Sequence, residues 1–182
     1  MKNALIVILV LFLSLPLWCQ ATGSLESESN FHNGLFSTQF QWWIQGNFGK
    51  SSFGYFGWAL VSKGWSEIYP GLSWQPASWI QMGVGAGIEQ TQSKVRFGEF
   101  LWVGKGKLYF LGFTEHGGSG FWYRAMTMYK WTKDFQVGLM SQHGLGIGPK
   151  MEFEFLKPFS LWVATLFWER STTVFGGLKL NF

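Results

Sequence analysis

From Leu35 to Phe182 the chain keeps a two-residue beat. Over 36–45, Phe36, Phe40, Trp42 and Ile44 share one parity, while Ser37, Gln39, Gln41 and Gln45 share the other. A period of two predicts a β-strand with one apolar and one polar face. The beat returns in Ile80–Glu89, Phe135–Met140 and Lys150–Phe155. Turn residues separate the runs, as in Gln75-Pro76-Ala77-Ser78, Gly104-Lys105-Gly106, His116-Gly117-Gly118-Ser119-Gly120 and Leu156-Lys157-Pro158. Strands joined by tight turns make an up-and-down meander. Their length of about ten residues is also what a tilted strand needs to cross a bilayer. Many glycines fall on the polar beat, where they make room inside a narrow barrel.

Counting back from the C-terminus gives eleven spans, the last at 172–182 and the first at 35–46. Bacterial single-chain barrels have even numbers. Either the polar stretch 22–34 supplies a twelfth strand, or 65–78 is a long connection and there are ten. Glu26, Glu28 and scant apolar surface argue for a tail at 22–34. The alternation of Glu67-Ile68-Tyr69-Pro70-Gly71-Leu72-Ser73-Trp74 argues for keeping its span. The expected fold is all-β: a closed, antiparallel, up-and-down transmembrane β-barrel of twelve strands, with ten as the alternative. The expected organisation is a signal peptide at 1–21, a polar tail at 22–34 and the barrel at 35–182. Little chain is left over for large loops.

Composition sharpens this reading. Aromatic residues make up 20% of the chain and charged residues 13%, against about 25% charged in ordinary globular domains. Twelve Trp and nineteen Phe cannot all be buried in one small domain, and an aromatic-rich surface suits lipid, where such side chains form interfacial belts. The net charge of +4 brings no basic cluster, so no nucleic-acid partner is expected. The N-terminus pairs Lys2 with the apolar run Ala4–Leu17 and ends in Cys19-Gln20-Ala21. This pattern predicts a cleaved secretory signal. A lipoprotein anchored at Cys19 is the rival, disfavoured by bulky Trp18. Cleavage after Ala21 removes the single cysteine, so the exported chain is expected to lack disulfides.

The chain closes on Gly177-Leu178-Lys179-Leu180-Asn181-Phe182. It resembles the signal that small bacterial outer-membrane β-barrel proteins present to their assembly machinery, with Gly177, Leu180 and Phe182 at the key places and Gly176 a departure from the usual polar residue. The resemblance implies a Gram-negative outer-membrane location, a porin-like barrel, both termini in the periplasm, and lipid and lipopolysaccharide as surroundings. It identifies no subfamily.

With Phe121, Tyr123, Ala125, Thr127 and Tyr129 turned to lipid, Arg124 and Lys130 face the lumen. The same parity turns inward Glu67 and Glu89, then Lys150, Glu152 and Glu154 on one strand, and Lys179 on the last. A charge facing lipid at mid-membrane costs about 2–4 kcal/mol, so an ion-paired, polar, side-chain-filled lumen is expected. A cation-selective constriction at Glu152 and Glu154 is the functional variant. Glu99 resists the pattern: Val95, Phe97, Leu101 and Val103 aim it at lipid unless a bulge near Gly98 shifts the register.

Two turns at one end carry Glu115-His116 and Ser141-Gln142-His143. They offer a hydrolase of the Ser141/His143/Glu115 kind acting on lipid, or a metal held by His116 and His143. Two histidines without a firm third ligand make a weak metal site. The His-x-Ser order of barrels that deacylate lipopolysaccharide is absent. No cofactor or metal is expected. The reading is therefore a structural anchor or narrow pore rather than an enzyme. A lipid-acting enzyme or a soluble, secreted carbohydrate-binding β-sandwich, its Trp faces stacking on sugar rings, stands as the alternative.

Overall fold

The computed structural model describes residues 21–90 and 94–182, so all of the expected signal peptide except Ala21, Cys19 included, lies outside the described residues. Twelve strands follow in chain order. The first four are β1 (Thr22–His32), β2 (Leu35–Asn47), β3 (Phe53–Ser62) and β4 (Trp65–Ala77). Next come β5 (Ile80–Glu89), β6 (Val95–Lys105), β7 (Leu108–Gly117) and β8 (Gly120–Lys130). The last four are β9 (Phe135–Gln142), β10 (Gly146–Leu156), β11 (Phe159–Trp168) and β12 (Ser171–Asn181). Each pairs antiparallel with its sequence neighbours, and β1 closes on β12. Closure leaves no open edge, which rules out a two-sheet sandwich and the soluble module with it.

The expected N-terminal tail needs correction. The stretch 22–34 is not a tail outside the barrel: β1 pairs along its whole length, Glu28 opposite Gln39 on one side and Gly177 on the other. Its strand signal is weak because its outward beat is Leu25, Ser27, Ser29 and Phe31, where two serines replace the usual apolar residues. Ser29 satisfies its hydroxyl on Thr38 across the β1–β2 pair at 2.9 Å. The alternative of a bulge in β6 is not realised. The strand pairs with β5 and β7 in unbroken register, with no bulge at Gly98.

The outer wall carries the apolar beat. Leu72, Val84, Phe97 and Phe153 are each about half exposed or more, as lipid-facing residues should be. Aromatic rings gather towards its two ends. Trp74, Trp79 and Trp131 lie at the end that carries the termini, and Phe31, Phe36 and Trp168 at the other. Among the described residues the connections are short. Asn33 and Gly34, both at positive φ (49° and 79°), make the two-residue turn between β1 and β2, and that conformation matches the twist of the flanking strands.

The inner wall is less uniform than a polar beat implies. On β3, inward Phe56, Trp58 and Leu60 form a core with Tyr69 and Phe100. A second cluster joins Met140, Trp162, Ala164, Leu166 and Phe175. The lumen is therefore part apolar, which corrects the expectation of a polar one. The first cluster fits because its facing strands carry glycine: a side chain at Gly83 or Gly71 would collide with the Phe56 or Phe100 ring.

Candidate functional site

Towards the end opposite the termini the lumen holds two arginine-centred clusters. In the first, Arg96 of β6 lies 3.0 Å from Glu67 of β4, contacts Glu89 of β5, and donates to Glu115 of β7 at 2.8 and 2.5 Å. The register explains the gathering. Glu67 sits directly opposite Glu89, an arrangement that repels unless a cation intervenes. Arg96 lies opposite Gly87 on one side and Gly117 on the other, so its long side chain is free to reach both neighbouring strands. Tyr69 donates to Glu115 at 2.9 Å and the Ser119 amide to Glu89 at 2.6 Å. All four charged groups are almost fully buried.

The second cluster crosses the lumen. Arg124 of β8 grips Glu28 of β1 through both terminal guanidinium nitrogens, at 2.7 and 2.8 Å, and donates from Nε to Gln142 at 2.8 Å. Gln39 and Gln41 complete the acceptor sites of Glu28 at 2.9 and 3.0 Å. A two-pronged contact of this kind is among the stronger hydrogen-bonded ion pairs. Here it joins strands on opposite sides of the closed sheet.

The remaining predicted lumenal charges lie nearer the end with the termini. Lys179 contacts Glu152, which also accepts from Ser160 at 3.2 Å. The Lys150 ammonium lies 3.4 Å from the centre of the Trp162 ring. Lys130 is exposed at the mouth, 6.0 Å from the Tyr109 ring. Glu154 is only partly covered, with Lys157 at 3.8 Å, an exposed pair of little energetic weight. Glu152 and Glu154 do not form a joint constriction: one is tied to Lys179 and the other lies at the rim.

Sequence reasoning missed Glu26, Glu28 and Arg96 as lumenal, and it placed Glu115 in the wrong site. The Asn33-Gly34 pair was the available signal for the first two, since it is a strong marker of a two-residue hairpin. For Arg96, the beat Val95, Phe97, Leu101, Val103 already turned it inward. Glu115 and His116, adjacent on β7, point to opposite faces. Glu115 is committed to Arg96 and Tyr69 inside, while the His116 and His143 rings pack on the outer Phe121 at 4.9 and 5.8 Å. Ser141 lies 3.5 Å from the Tyr123 hydroxyl. The wall thus separates Glu115 from Ser141 and His143, so the hydrolase arrangement is not assembled.

Glu99 does face outward, accepting from Thr114 at 3.0 Å. A carboxylate on that wall costs stability, though less than a cation would. Glu99→Val is expected to raise the barrel's stability by about 1 kcal/mol, read as a higher guanidinium midpoint in phosphatidylcholine vesicles. A lower midpoint would mean that the carboxylate has a partner in the membrane.

Beyond the two plugs the lumen opens into a cavity of about 740 Å³ at the end with the termini. Arg124, Trp58, Phe100 and Phe113 form its floor, and Thr22, Gln45, Asn47 and Gln75 lie near its mouth. None of Glu67, Glu89, Arg96 or Glu115 lines it. The cavity is thus a vestibule with Arg124, Trp58, Phe100 and Phe113 at its floor, and it does not extend to the Arg96 cluster.

This closed barrel is the fold of solved porins. The fold matches the KdgM porin with a TM-score of 0.61 at 14% identity, over 87% of this chain and 99% of that one. The KdgM porin in complex with disordered oligogalacturonate aligns at 0.63, with the same identity and coverage. The NanC porin aligns at 0.57 and 8% identity, over 87% of this chain and 100% of that one. No family model matches the sequence, and no curated relative matches it.

Proposed function

We propose that the protein is a porin-type barrel of the outer membrane whose resting lumen is closed, a narrow pore rather than an open channel. The observation that carries this reading is the Arg124–Glu28 contact spanning the lumen, backed by the Arg96 cluster beside it. Desolvated charges held by several partners do not move aside without cost, so free diffusion of solutes stops at their level. The apolar outer wall, with rings towards both ends, supports residence in a lipid bilayer. The fold shared with KdgM and NanC supports passage of small solutes as the general task. In this reading Met1–Ala21 is removed on export. Gly177, Leu180 and Phe182 engage the assembly machinery, both termini lie in the periplasm, and lipopolysaccharide surrounds the far end. The vestibule then faces the periplasm.

The test is a planar-bilayer recording of the purified barrel, with cell fractionation and heat-modifiable gel migration alongside. The expected result is an outer-membrane, heat-modifiable protein that shows rare, small conductance steps. A large, steady conductance would sink the closed-lumen reading. No conductance under any voltage would leave a structural anchor, which the same plugs would also serve.

A further inference from the structure

The vestibule's lining says what it is built to hold. Its charges are balanced by their surroundings: Arg124 is bonded to Glu28, which lies behind the lining, Lys179 to Glu152, and Lys150 shares the cavity with Glu26. Of the three carboxylates, Glu26 and Glu152 line the cavity and Glu28 lies just behind its floor. A charged ligand would compete with the two ion pairs and meet the opposite charge of Glu26 or Lys150 nearby, so the cavity suits an uncharged guest. What remains on the wall is aromatic rings and side-chain amides.

On β5 and β6, Gln81 and Trp102 are direct cross-strand partners, both turned inward. The Trp102 ring lies over Gly104, where any side chain would collide with it. That glycine lets the indole lie against the wall instead of standing across the opening. Tyr109 continues the aromatic surface on β7 and donates to Gln136 at 3.0 Å. Gln45, Gln75 and Gln81 line the same cavity, and among the described residues their amides make no side-chain hydrogen bond. An amide offers both donors and an acceptor. The volume of about 740 Å³ falls within the roughly 300–1,000 Å³ of small-molecule sites, which pair mostly apolar walls with a few polar groups.

We propose that the vestibule binds an uncharged saccharide, its apolar C–H face on Trp102 and its edge hydroxyls on Gln81 and the neighbouring amides. A sugar ring is the common chemistry that has one apolar face and a rim of paired donors and acceptors. This proposal rests on the closed-barrel reading for the existence of a floored vestibule, but its test does not use conductance.

The experiment is a tryptophan-fluorescence titration of the purified, folded barrel in detergent. The probes are maltotriose and cellotriose as neutral ligands, trigalacturonate as an acidic one and a glucosamine trimer as a cationic one. At least one neutral probe is expected to saturate with a Kd below about 1 mM, and both charged probes to bind at least about tenfold more weakly. Gln81→Leu, which keeps the volume and removes the amide, is expected to weaken the neutral probe about tenfold while heat-modifiable migration stays as in the parent. Trp102→Ala should do the same. The proposal is overturned if neither neutral probe saturates, if a charged trimer binds as tightly, or if both folded variants bind as the parent does. A barrel that binds neutral sugar yet conducts freely would instead count against the closed-lumen reading alone.

Discussion

Arg96→Met is expected to destabilise the barrel by about 3–5 kcal/mol and to raise its conductance. Three carboxylates, Glu67, Glu89 and Glu115, converge on this one guanidinium with almost no access to water. Removing one partner of a buried ion pair leaves the others uncompensated, which costs far more than the pair's net contribution. Methionine keeps much of the volume, so the effect reports the charge and the lost hydrogen bonds rather than a cavity. Glu67 and Glu89 stand opposite each other, and without Arg96 their repulsion pushes β4 and β5 apart at the closed end. The guanidinium-induced midpoint in vesicles reads the first effect and single-channel recording the second. Unchanged stability would mean that the cluster is not the plug. A lower midpoint with unchanged conductance would place the barrier at Arg124 and Glu28 alone.

Gly98→Val is expected to cost about 3 kcal/mol or more and to abolish heat-modifiable migration in mild detergent, whereas Gly176→Val should stay within about 0.5 kcal/mol of the parent. Both glycines sit within paired strands of the same barrel. A side chain at Gly98 points inward and meets the Tyr69 ring. That ring is 1% exposed, packs edge-on against Phe56 at 6.3 Å between ring centres, and is tied to Glu115. It has nowhere to go, and moving it would also break a bond of the Arg96 cluster. At Gly176 the nearest atom to an added side chain is the Trp162 carbonyl at 4.0 Å, and the outward direction is lipid. Equal losses at the two positions would show that β-propensity, not lumenal packing, governs these glycines.

These two contrasts also mark how far the sequence could be read. The alternation of apolar and polar residues identified eleven of the twelve strands, because lipid on one side and a lumen on the other impose opposite demands on adjacent residues. The rule of even strand number then pointed to the missing one. Alternation alone left β1 as a tail because Ser27 and Ser29 occupy its outer beat, and a strand whose two faces are both largely polar has little periodic signal. On β3, which it did count as a strand, it gave no facing, because Phe53-Gly54-Tyr55-Phe56-Gly57-Trp58-Ala59-Leu60 is apolar on both faces. The inward rings of that strand, which with Tyr69 and Phe100 form the larger lumenal cluster, therefore went unrecognised.

The sequence by itself determined the class of fold, the facing of most charges and the need for glycine on the inner beat. Each of these follows from a local rule about neighbouring residues. It could not determine which charges meet, because Arg124 and Glu28 are 96 positions apart and become partners only when β1 closes on β12 and the ring is complete. It also joined Glu115 to His116, Ser141 and His143, since proximity along the chain hides that alternate residues lie on opposite sides of the wall. The closed plug and the floored vestibule belong to the tertiary structure alone, since both depend on which side chains reach across the lumen, and only ring closure sets that distance.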